Sequence, residues 1–144
     1  MDYIIRKSVN SDAPEIVRLI LELAESMNEE SPVTEEYVSE YLHNPACEIL
    51  VAASGAKVIG LISYSLKPCL FHASDSCLIE ELIVDKEYRK QGIAGRLIEK
   101  LIDEVKSKQC AEISVSTELN NEAAISFYKK HGLKDEFLFL EKHF

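Results

Sequence analysis

The 144-residue chain has no tryptophan, only five glycines and four prolines, and four cysteines. So little glycine and proline excludes a collagen-like or low-complexity chain. Cys47, Cys69, Cys77 and Cys110 form no Cys-x-x-Cys pair, and His43, His72, His131 and His143 stand at no metal-ligand spacing beside them. A zinc framework is therefore not expected, nor any metal, and the cysteines read as reduced thiols. Cys77 and Cys110 fall in or beside apolar stretches, which predicts burial, and no local signature marks a Cys–His nucleophile. No apolar run approaches a membrane span, and the opening residues Met1–Arg6 are too short and polar for a signal peptide, so a cytoplasmic protein is expected. Basic charge is scarce as well: 16 Lys and Arg against 25 Asp and Glu leave a net charge of -9. Such a surface repels nucleic acid and anionic membranes and favours a cationic or amine-bearing substrate.

What is present fits one globular domain, residues 1–144, with 47% hydrophobic and 28% charged residues. Tyr3 to Arg6 reads as a strand. Asp12 then stands three residues before Glu15, the spacing of a capping box, ahead of an apolar face at Ile16, Leu19, Ile20, Leu23, Ala24 and Met27. Ser31-Pro32 breaks that helix, and Thr34 opens a shorter one that Asn44-Pro45 ends. Glu48–Ala53 and Lys57–Ser65 read as strands joined at Ser54-Gly55, with Gly60 marking a bulge or a close backbone approach. Lys67–Asp75 reads as a loop and Ser76–Val84 as a long strand. A helix from about Ala94, a strand over 111–116, a helix near Asn121 and a final strand over Phe137–Leu140 complete the order. It predicts an α/β fold: a mixed, mostly antiparallel sheet with helices on both faces.

The segment Val84-Asp85-Lys86-Glu87-Tyr88-Arg89-Lys90-Gln91-Gly92-Ile93-Ala94-Gly95-Arg96-Leu97 is the most informative. It joins an apolar strand to an amphipathic helix through a basic, glycine-bearing loop. The first N–H groups of such a helix lack intrahelical partners and its dipole is positive there, so an anion is the natural ligand. Gly92, Ala94 and Gly95 leave the backbone accessible, while Arg89, Lys90 and Arg96 stand out against the acidic background. The loop has neither the Gly-Lys-Ser/Thr ending of a nucleotide P-loop nor the three glycines of a dinucleotide fingerprint.

Its Arg89-x-x-Gly92-x-Ala94 pattern, following Leu82-Ile83-Val84, instead resembles the acetyl-coenzyme A motif of the GNAT superfamily of N-acetyltransferases. A second segment, Asn120 to Leu133, resembles that superfamily's Asn-x-x-Ala-x-x-Phe-Tyr-x-x-x-Gly-Phe stretch, with Leu133 in the place of the usual aromatic. Physics accounts for parts of it independently, since Asn121 suits a helix cap and Gly132 a left-handed helix end. The structural alternative for Phe127 is core packing, and for Tyr128 a half-buried amphipathic position.

The resemblance implies an acetyl-coenzyme A dependent enzyme acting on an amine of a small molecule (a polyamine, an aminoglycoside or an amino-acid-like compound) or of a peptide, through a tetrahedral intermediate. It implies that Leu82, Ile83, Val84, Arg89, Lys90, Gln91, Gly92, Ile93, Ala94 and Gly95, with Asn121, hold the coenzyme. By the same resemblance the Leu82 N–H holds the thioester carbonyl, and Tyr128 protonates the departing thiolate. An alkylammonium has a pKa near ~10.4, so a base is useful at neutral pH. Strand alternation sends Glu80 and Glu81 to opposite faces; Glu80, on the face of Leu82 and Val84, is the favoured base, with Glu81 and water in reserve. The acidic cluster Glu22, Glu25, Glu29, Glu30, Glu35 and Glu36 either attracts a basic acceptor or is a solvated helix face, and Tyr37 and Tyr41 either line that pocket or pack. A coenzyme A binding or sensing module without turnover is the rival reading, and homodimerisation is left open.

Overall fold

The computed structural model describes residues 2–144. In chain order they form β1 (Ile4–Lys7), α1 (Ala13–Ser26), α2 (Glu35–His43), β2 (Cys47–Ser54), β3 (Lys57–Cys69), β4 (Ser74–Val84), α3 (Ile93–Ser107), β5 (Glu112–Val115) and α4 (Glu122–Lys130). The strands lie side by side as β1-β2-β3-β4-β5, antiparallel except for the pair β4 and β5. That pair is parallel because α3 carries the chain back across the sheet before β5 begins, the connection that parallel strands need.

Alternation along the strands builds two cores. Leu50, Ile62, Tyr64 and Ile79 face α3, whose Leu97, Ile98, Leu101 and Val105 form one buried stripe. Val51, Leu61 and Ile83 face the other way, onto Ile16 and Leu19 of α1 and Val38 of α2. Neighbours in sequence thus serve opposite layers, as a period of two requires. Gly60 combines both roles expected of it. Ala52 pairs with Gly60 and Ala53 with Val58, so Ile59 is the extra residue of a bulge. A Cβ on Gly60 would lie 3.2 Å from Ile93 Cγ2 and 3.3 Å from the Ile83 carbonyl, so its bareness lets the first turn of α3 settle on the sheet.

Three expectations are corrected. The Asp12–Glu15 pair does not cap α1. The Asp12 carboxylate accepts from the Val9 N–H at 2.8 Å and from both Arg6 Nη atoms at 2.7 and 3.0 Å, ahead of a short 3-10 turn at Asn10–Asp12. Glu15 reaches the β2–β3 hairpin, accepting from the Val58 N–H at 3.1 Å and Arg18 Nε at 2.8 Å. The Lys67–Asp75 loop is mostly strand, because β3 and β4 pair out to Cys69 and Ser74 and leave a short turn between them. Beyond α4 no sixth strand forms: residues 133–144 are irregular, and Phe137, Leu138 and Leu140 are 90%, 75% and 81% exposed.

The start of the basic loop is tied to three elements by one buried carboxylate. The Asp85 N–H donates to the Ile59 carbonyl at 2.9 Å, while its side chain accepts from Arg18 Nη1 at 2.8 Å and the Glu87 N–H at 2.9 Å. Arg18 also donates to the Val58 carbonyl at 2.9 Å, so α1, the hairpin and the loop share one guanidinium. Burial alone would raise the Asp85 pKa, but the Glu87 N–H and Arg18 outweigh it and hold the group below its ordinary 3.8. Hydrogen bonds from Arg6 and from Arg18 likewise lower Asp12 and Glu15.

A carboxylate whose folded-state pKa is depressed contributes stability above its unfolded-state pKa and loses it as pH falls through the folded value. The thermal midpoint is therefore expected to fall steeply below about pH 4. Asp85→Asn should lower the midpoint at pH 7 and flatten the acid decline, as read by melting curves between pH 3 and 7. An unchanged acid slope would mean that this carboxylate is not part of it.

Candidate active site

Strands β4 and β5 part company midway. Their parallel register runs from Ser76 opposite Glu112 to Ile79 opposite Val115 and stops there, while β4 continues five residues to Val84. The break coincides with a bulge: Tyr64 pairs with Ile79 and Ser63 with Glu81, so Glu80 has no opposite number on β3. Past this point β4 has a partner on one side only.

The direction of its amides can be read from two bonds. The Glu81 N–H donates to Ser63 Oγ at 2.9 Å and the Asp85 N–H to Ile59 O at 2.9 Å, so both turn toward β3. Main-chain groups of an extended strand alternate, and the N–H groups of Leu82 and Val84 therefore turn the other way, into the gap left by β5. The Val84 carbonyl agrees, accepting from Arg89 Nε at 3.1 Å on the loop.

The gap opens onto a groove of about 600 Å³ walled by the loop, the first turn of α3 and the end of α4. Val84, Arg89, Lys90, Gly92, Ile93, Ala94 and Gly95 all line it. Among the described residues, no main-chain N–H from Arg89 to Gly95 donates to a group of the chain; the first bond is Arg96 N to Gly92 O at 3.1 Å. Lys90 and Gly92 both adopt positive φ, 61° and 80°, the alternation of backbone hand that turns successive N–H groups inward as an anion-binding concavity. Lys90 is the telling one, because a non-glycine residue held there is disfavoured and such strain gathers at functional loops. Tyr88, Arg96, Lys130 and His131 also reach the groove, and of these the sequence reading named only Arg96 as a member of the basic group. His131 lies within 3.7 Å of where a Gly95 Cβ would be. A helix-end Lys-His pair carries no motif of its own, and only the packing of α4 beside α3 reveals it.

The other predicted residues, Glu80, Asn121 and Tyr128 among them, do not line this groove. Asn121 caps α4, accepting from the Ala124 N–H at 3.1 Å. Tyr128 is 9% exposed within the α3-side core, its ring 5.2 Å from that of Phe127, and burial raises its pKa. Leu82, Ile83 and Gln91 are not among the groove walls, Ile83 being buried against α1 and α2.

The expectation that Glu80 and Glu81 face opposite ways is overturned by the bulge, which interrupts the alternation between them. Leu82 and Val84 pack with the α3-side core, whereas the charges of both glutamates act on Tyr41, which packs in the α1–α2 layer. Burial, the Cys47 thiol and these two carboxylates together raise the Tyr41 pKa. Glu81 is held by Ser63, whose hydroxyl donates to Oε1. The surroundings of Glu80 desolvate its carboxylate although the residue keeps an open surface; with the repulsion of Glu81 this raises its pKa against the pull of Lys67. Of the acidic helix residues, Glu22 accepts from the Lys86 N–H at 3.3 Å and so braces the loop. Burial pushes the Cys77 thiol up to about 12, which leaves it a poor nucleophile. Cys69, His72 and Glu112 bring their ligand atoms within 4.8 Å of one another, a grouping that sequence spacing hid; it lies at the opposite end of β4 from the groove.

The parallel pair of this mixed sheet thus opens beside the N-terminus of α3, where unbonded amides stand with Arg89, Lys90, Arg96 and Lys130, and with Glu99 as the one acidic residue of the groove wall. The sequence profile of the Acetyltransferase (GNAT) family matches residues 14–133, and the chain belongs to that family; it is an N-acetyltransferase. A thialysine N-epsilon-acetyltransferase from Sus scrofa is 26% identical over 143 residues, covering 92% of this chain and 84% of that protein. N-alpha-acetyltransferase 30 from Homo sapiens is 30% identical over 130 residues, covering 88% of this chain and 33% of that protein. Among solved structures, a transcriptional regulator from Bacillus halodurans C-125 superposes with a TM-score of 0.87 at 25% identity over 99% of this chain and 100% of that one. An aminoglycoside acetyltransferase from an uncultured soil metagenomic sample, in complex with sisomicin, has a TM-score of 0.83 at 21% identity, covering 99% and 95%, and shares the fold.

The glycines separate two effects. A Cβ at Gly95 meets only His131, at ordinary contact distance, so Gly95→Val should keep the thermal midpoint within a few degrees while weakening coenzyme A binding at least tenfold. Gly92→Val puts a β-branched residue at φ 80° and should lose roughly 1–2 kcal/mol of stability besides. Calorimetric titration with coenzyme A and parallel melting curves check both; full affinity in Gly95→Val would move the ligand out of the groove.

Proposed function

We propose that the chain transfers an acetyl group from acetyl-coenzyme A to a primary amine of a small molecule or peptide by direct attack. The observation that carries this reading is the one-sided β4: past Glu80 its Leu82 and Val84 amides face a gap that leads to the loop of free N–H groups. An extended pantetheine arm pairs with such an edge as an added strand, and the diphosphate at its far end meets the helix N-terminus. Arg89, Lys90 and the amides through Gly95 are then the diphosphate partners. Lys130 and His131 sit where further phosphate charge is met.

In the reaction the amine nitrogen attacks the thioester carbonyl carbon, and the carbonyl oxygen gains negative charge that the Leu82 N–H stabilises. Glu80 first takes a proton from the ammonium form, directly or through water, to free the nitrogen lone pair; after attack the nitrogen sheds its second proton to solvent, the carbon–sulfur bond breaks, and the thiolate takes a proton from Tyr128, whose phenolate is reprotonated from solvent. A phenol and a thiol have reference pKa values of roughly 10 and 8.5, and burial raises that of Tyr128 further, so the proton is released only as thiolate charge develops beside it. Glu80 is the preferred base because its carboxylate is partly desolvated and, among the described residues, no group donates to it, while Glu81 is engaged by Ser63. Two carboxylates on the Tyr41 side of the sheet also favour a cationic acceptor. The relatives support an amine acceptor, since their names specify thialysine, N-alpha and aminoglycoside acetylation.

Tyr128→Phe should lower kcat by about 10²-fold with coenzyme affinity nearly intact. A large affinity loss with normal turnover contradicts the acid role. Because the Glu80 pKa is raised and the base must be ionised, kcat/KM should fall on the acid side through a value above the ordinary 4.5. Glu80→Gln should remove that limb; a limb that persists assigns the proton to Glu81 or water.

The acceptor itself is found by incubating the protein and acetyl-coenzyme A with a panel of polyamines, aminoglycosides, amino acids and short peptides, with detection by mass. A product absent without protein establishes turnover and acceptor class together. Binding of acetyl-coenzyme A with no product across the panel favours the sensing module.

A further inference from the structure

At the end of β4 away from the groove, three residues of different chemistry meet. Cys69, His72 and Glu112 bring a thiol, an imidazole and a carboxylate within 4.8 Å of one another. They come from two separated stretches, the β3–β4 hairpin and the first residue of β5, and the sheet register is what joins them. Cys69 pairs with Ser74 across the hairpin, and Ser76 pairs with Glu112. Paired residues and those two apart share a face, so Cys69, Ser74, Ser76 and Glu112 stand on the same side of the sheet. Their neighbours Cys77 and Ile113 pack in the α3-side core, so that side is the one turned away from α3. The turn between Cys69 and Ser74 then brings His72 Nε2 to 3.6 Å from Glu112 Oε2.

The arrangement is held from behind. One oxygen of Glu112 accepts from the hydroxyl of Ser76, itself 4% exposed, at 3.3 Å, which leaves Oε2 to face His72. The Ala111 N–H donates to the Asp75 carbonyl at 2.8 Å and Ser74 Oγ to the Gln109 carbonyl at 2.9 Å, so the approach to β5 is stapled to the hairpin. A buried hydroxyl that orients a carboxylate is the outer support that metal ligands carry. An ion pair between His72 and Glu112 accounts for two of the three groups, but it makes no use of the half-buried Cys69 sulfur, which forms no disulfide. Among the described residues no lysine or arginine pairs with Glu112, so the carboxylate has no side-chain cation other than His72 at hand.

We propose that Cys69, His72 and Glu112 bind a zinc ion, with the fourth, outward position left to water. Bond lengths of about 2.0–2.3 Å place the ligands of a tetrahedral zinc site roughly 3.3–3.6 Å apart. The His72–Glu112 separation of 3.6 Å already meets this, and from within 4.8 Å the Cys69 sulfur reaches it by a small turn of its side chain. Thiolate and imidazole select zinc over magnesium or calcium, which take oxygen ligands. The thiolate and the carboxylate balance the charge of the ion, and the thiol proton passes to solvent on binding. The ion ties the hairpin to the start of β5, at the closed end of the strand pair whose other end opens past Ile79. It takes no part in acetyl transfer, so the inference is independent of the catalytic reading.

The test is titration of the reduced full-length protein, stripped of metal with a chelator, with zinc chloride against a chromophoric zinc indicator. Each chain should take up a single ion, and the loaded protein should melt at a higher temperature. Cys69→Ser and His72→Ala, both on the hairpin and outside the two cores, should each weaken uptake at least about tenfold, the loss that even an outer-shell change produces. Glu112→Gln should weaken it as well. Cys110→Ser and His143→Ala, which remove a thiol and an imidazole elsewhere, should leave it unchanged. With cobalt in place of zinc, the protein should show the near-ultraviolet charge-transfer absorption of a thiolate–cobalt bond, and Cys69→Ser should lack it. No stoichiometric uptake, uptake that survives both hairpin substitutions, uptake lost in Cys110→Ser instead, or cobalt binding without the thiolate band overturns the site.

Discussion

The site depends on one unpaired residue in β4. Glu80 has no opposite number on β3, so the register of the strand slips by one there; at the same point the pairing with β5 ends at Ile79, and the remaining stretch to Val84 keeps only one neighbour. The bulge therefore does two things through one backbone irregularity: it frees the Leu82 and Val84 amides, and it brings Glu80 and Glu81 to bear on the same tyrosine.

Around that irregularity the rest of the molecule works as a brace. Asp85 fixes the point where β4 becomes loop, and its partner Arg18 is itself held by Glu15 and the Val58 carbonyl, so the loop starts from a fixed place on α1 and the hairpin. Gly60 lets Ile93 sit against the sheet, which sets the height of the α3 N-terminus over the strand. Disfavoured φ at Lys90 is tolerated because both ends of this short loop are anchored. The free amides of the loop are thereby held in place by the fold itself, which lowers the ordering that the proposed binding of a diphosphate must supply.

The periodicities that carry strong apolar signals were readable as written. The stripe Leu97, Ile98, Leu101, Ile102 and Val105 became α3, Thr34 and Asn121 cap the helices they precede, and Gly55 and Gly132 take the left-handed conformations their positions suggest. Errors arose where one local pattern had two uses. Asp12 and Glu15 stand at capping-box spacing, yet Arg6 and Arg18 compete for their carboxylates and win, because a guanidinium carries a full charge and offers two parallel donors where a backbone N–H offers one. Phe137–Leu140 has the composition of a strand, but a strand needs a neighbour to pair with, and residues 133–144 pair with none.

Sequence alone determined the order of elements, the identity of the basic loop and its place at a helix N-terminus, since those follow from spacing within a few residues. It also determined the family, through two motifs whose residues are local. Tertiary structure decided what no local window contains: that β4 slips at Glu80, that two adjacent glutamates act on one layer, and that Lys130 and His131 from the end of α4 close the groove begun by Arg89 and Lys90. The physical reason is range. A helix cap or an apolar stripe is fixed by neighbours within one or two turns, whereas a register shift and a groove between two helices are set by packing between residues tens of positions apart.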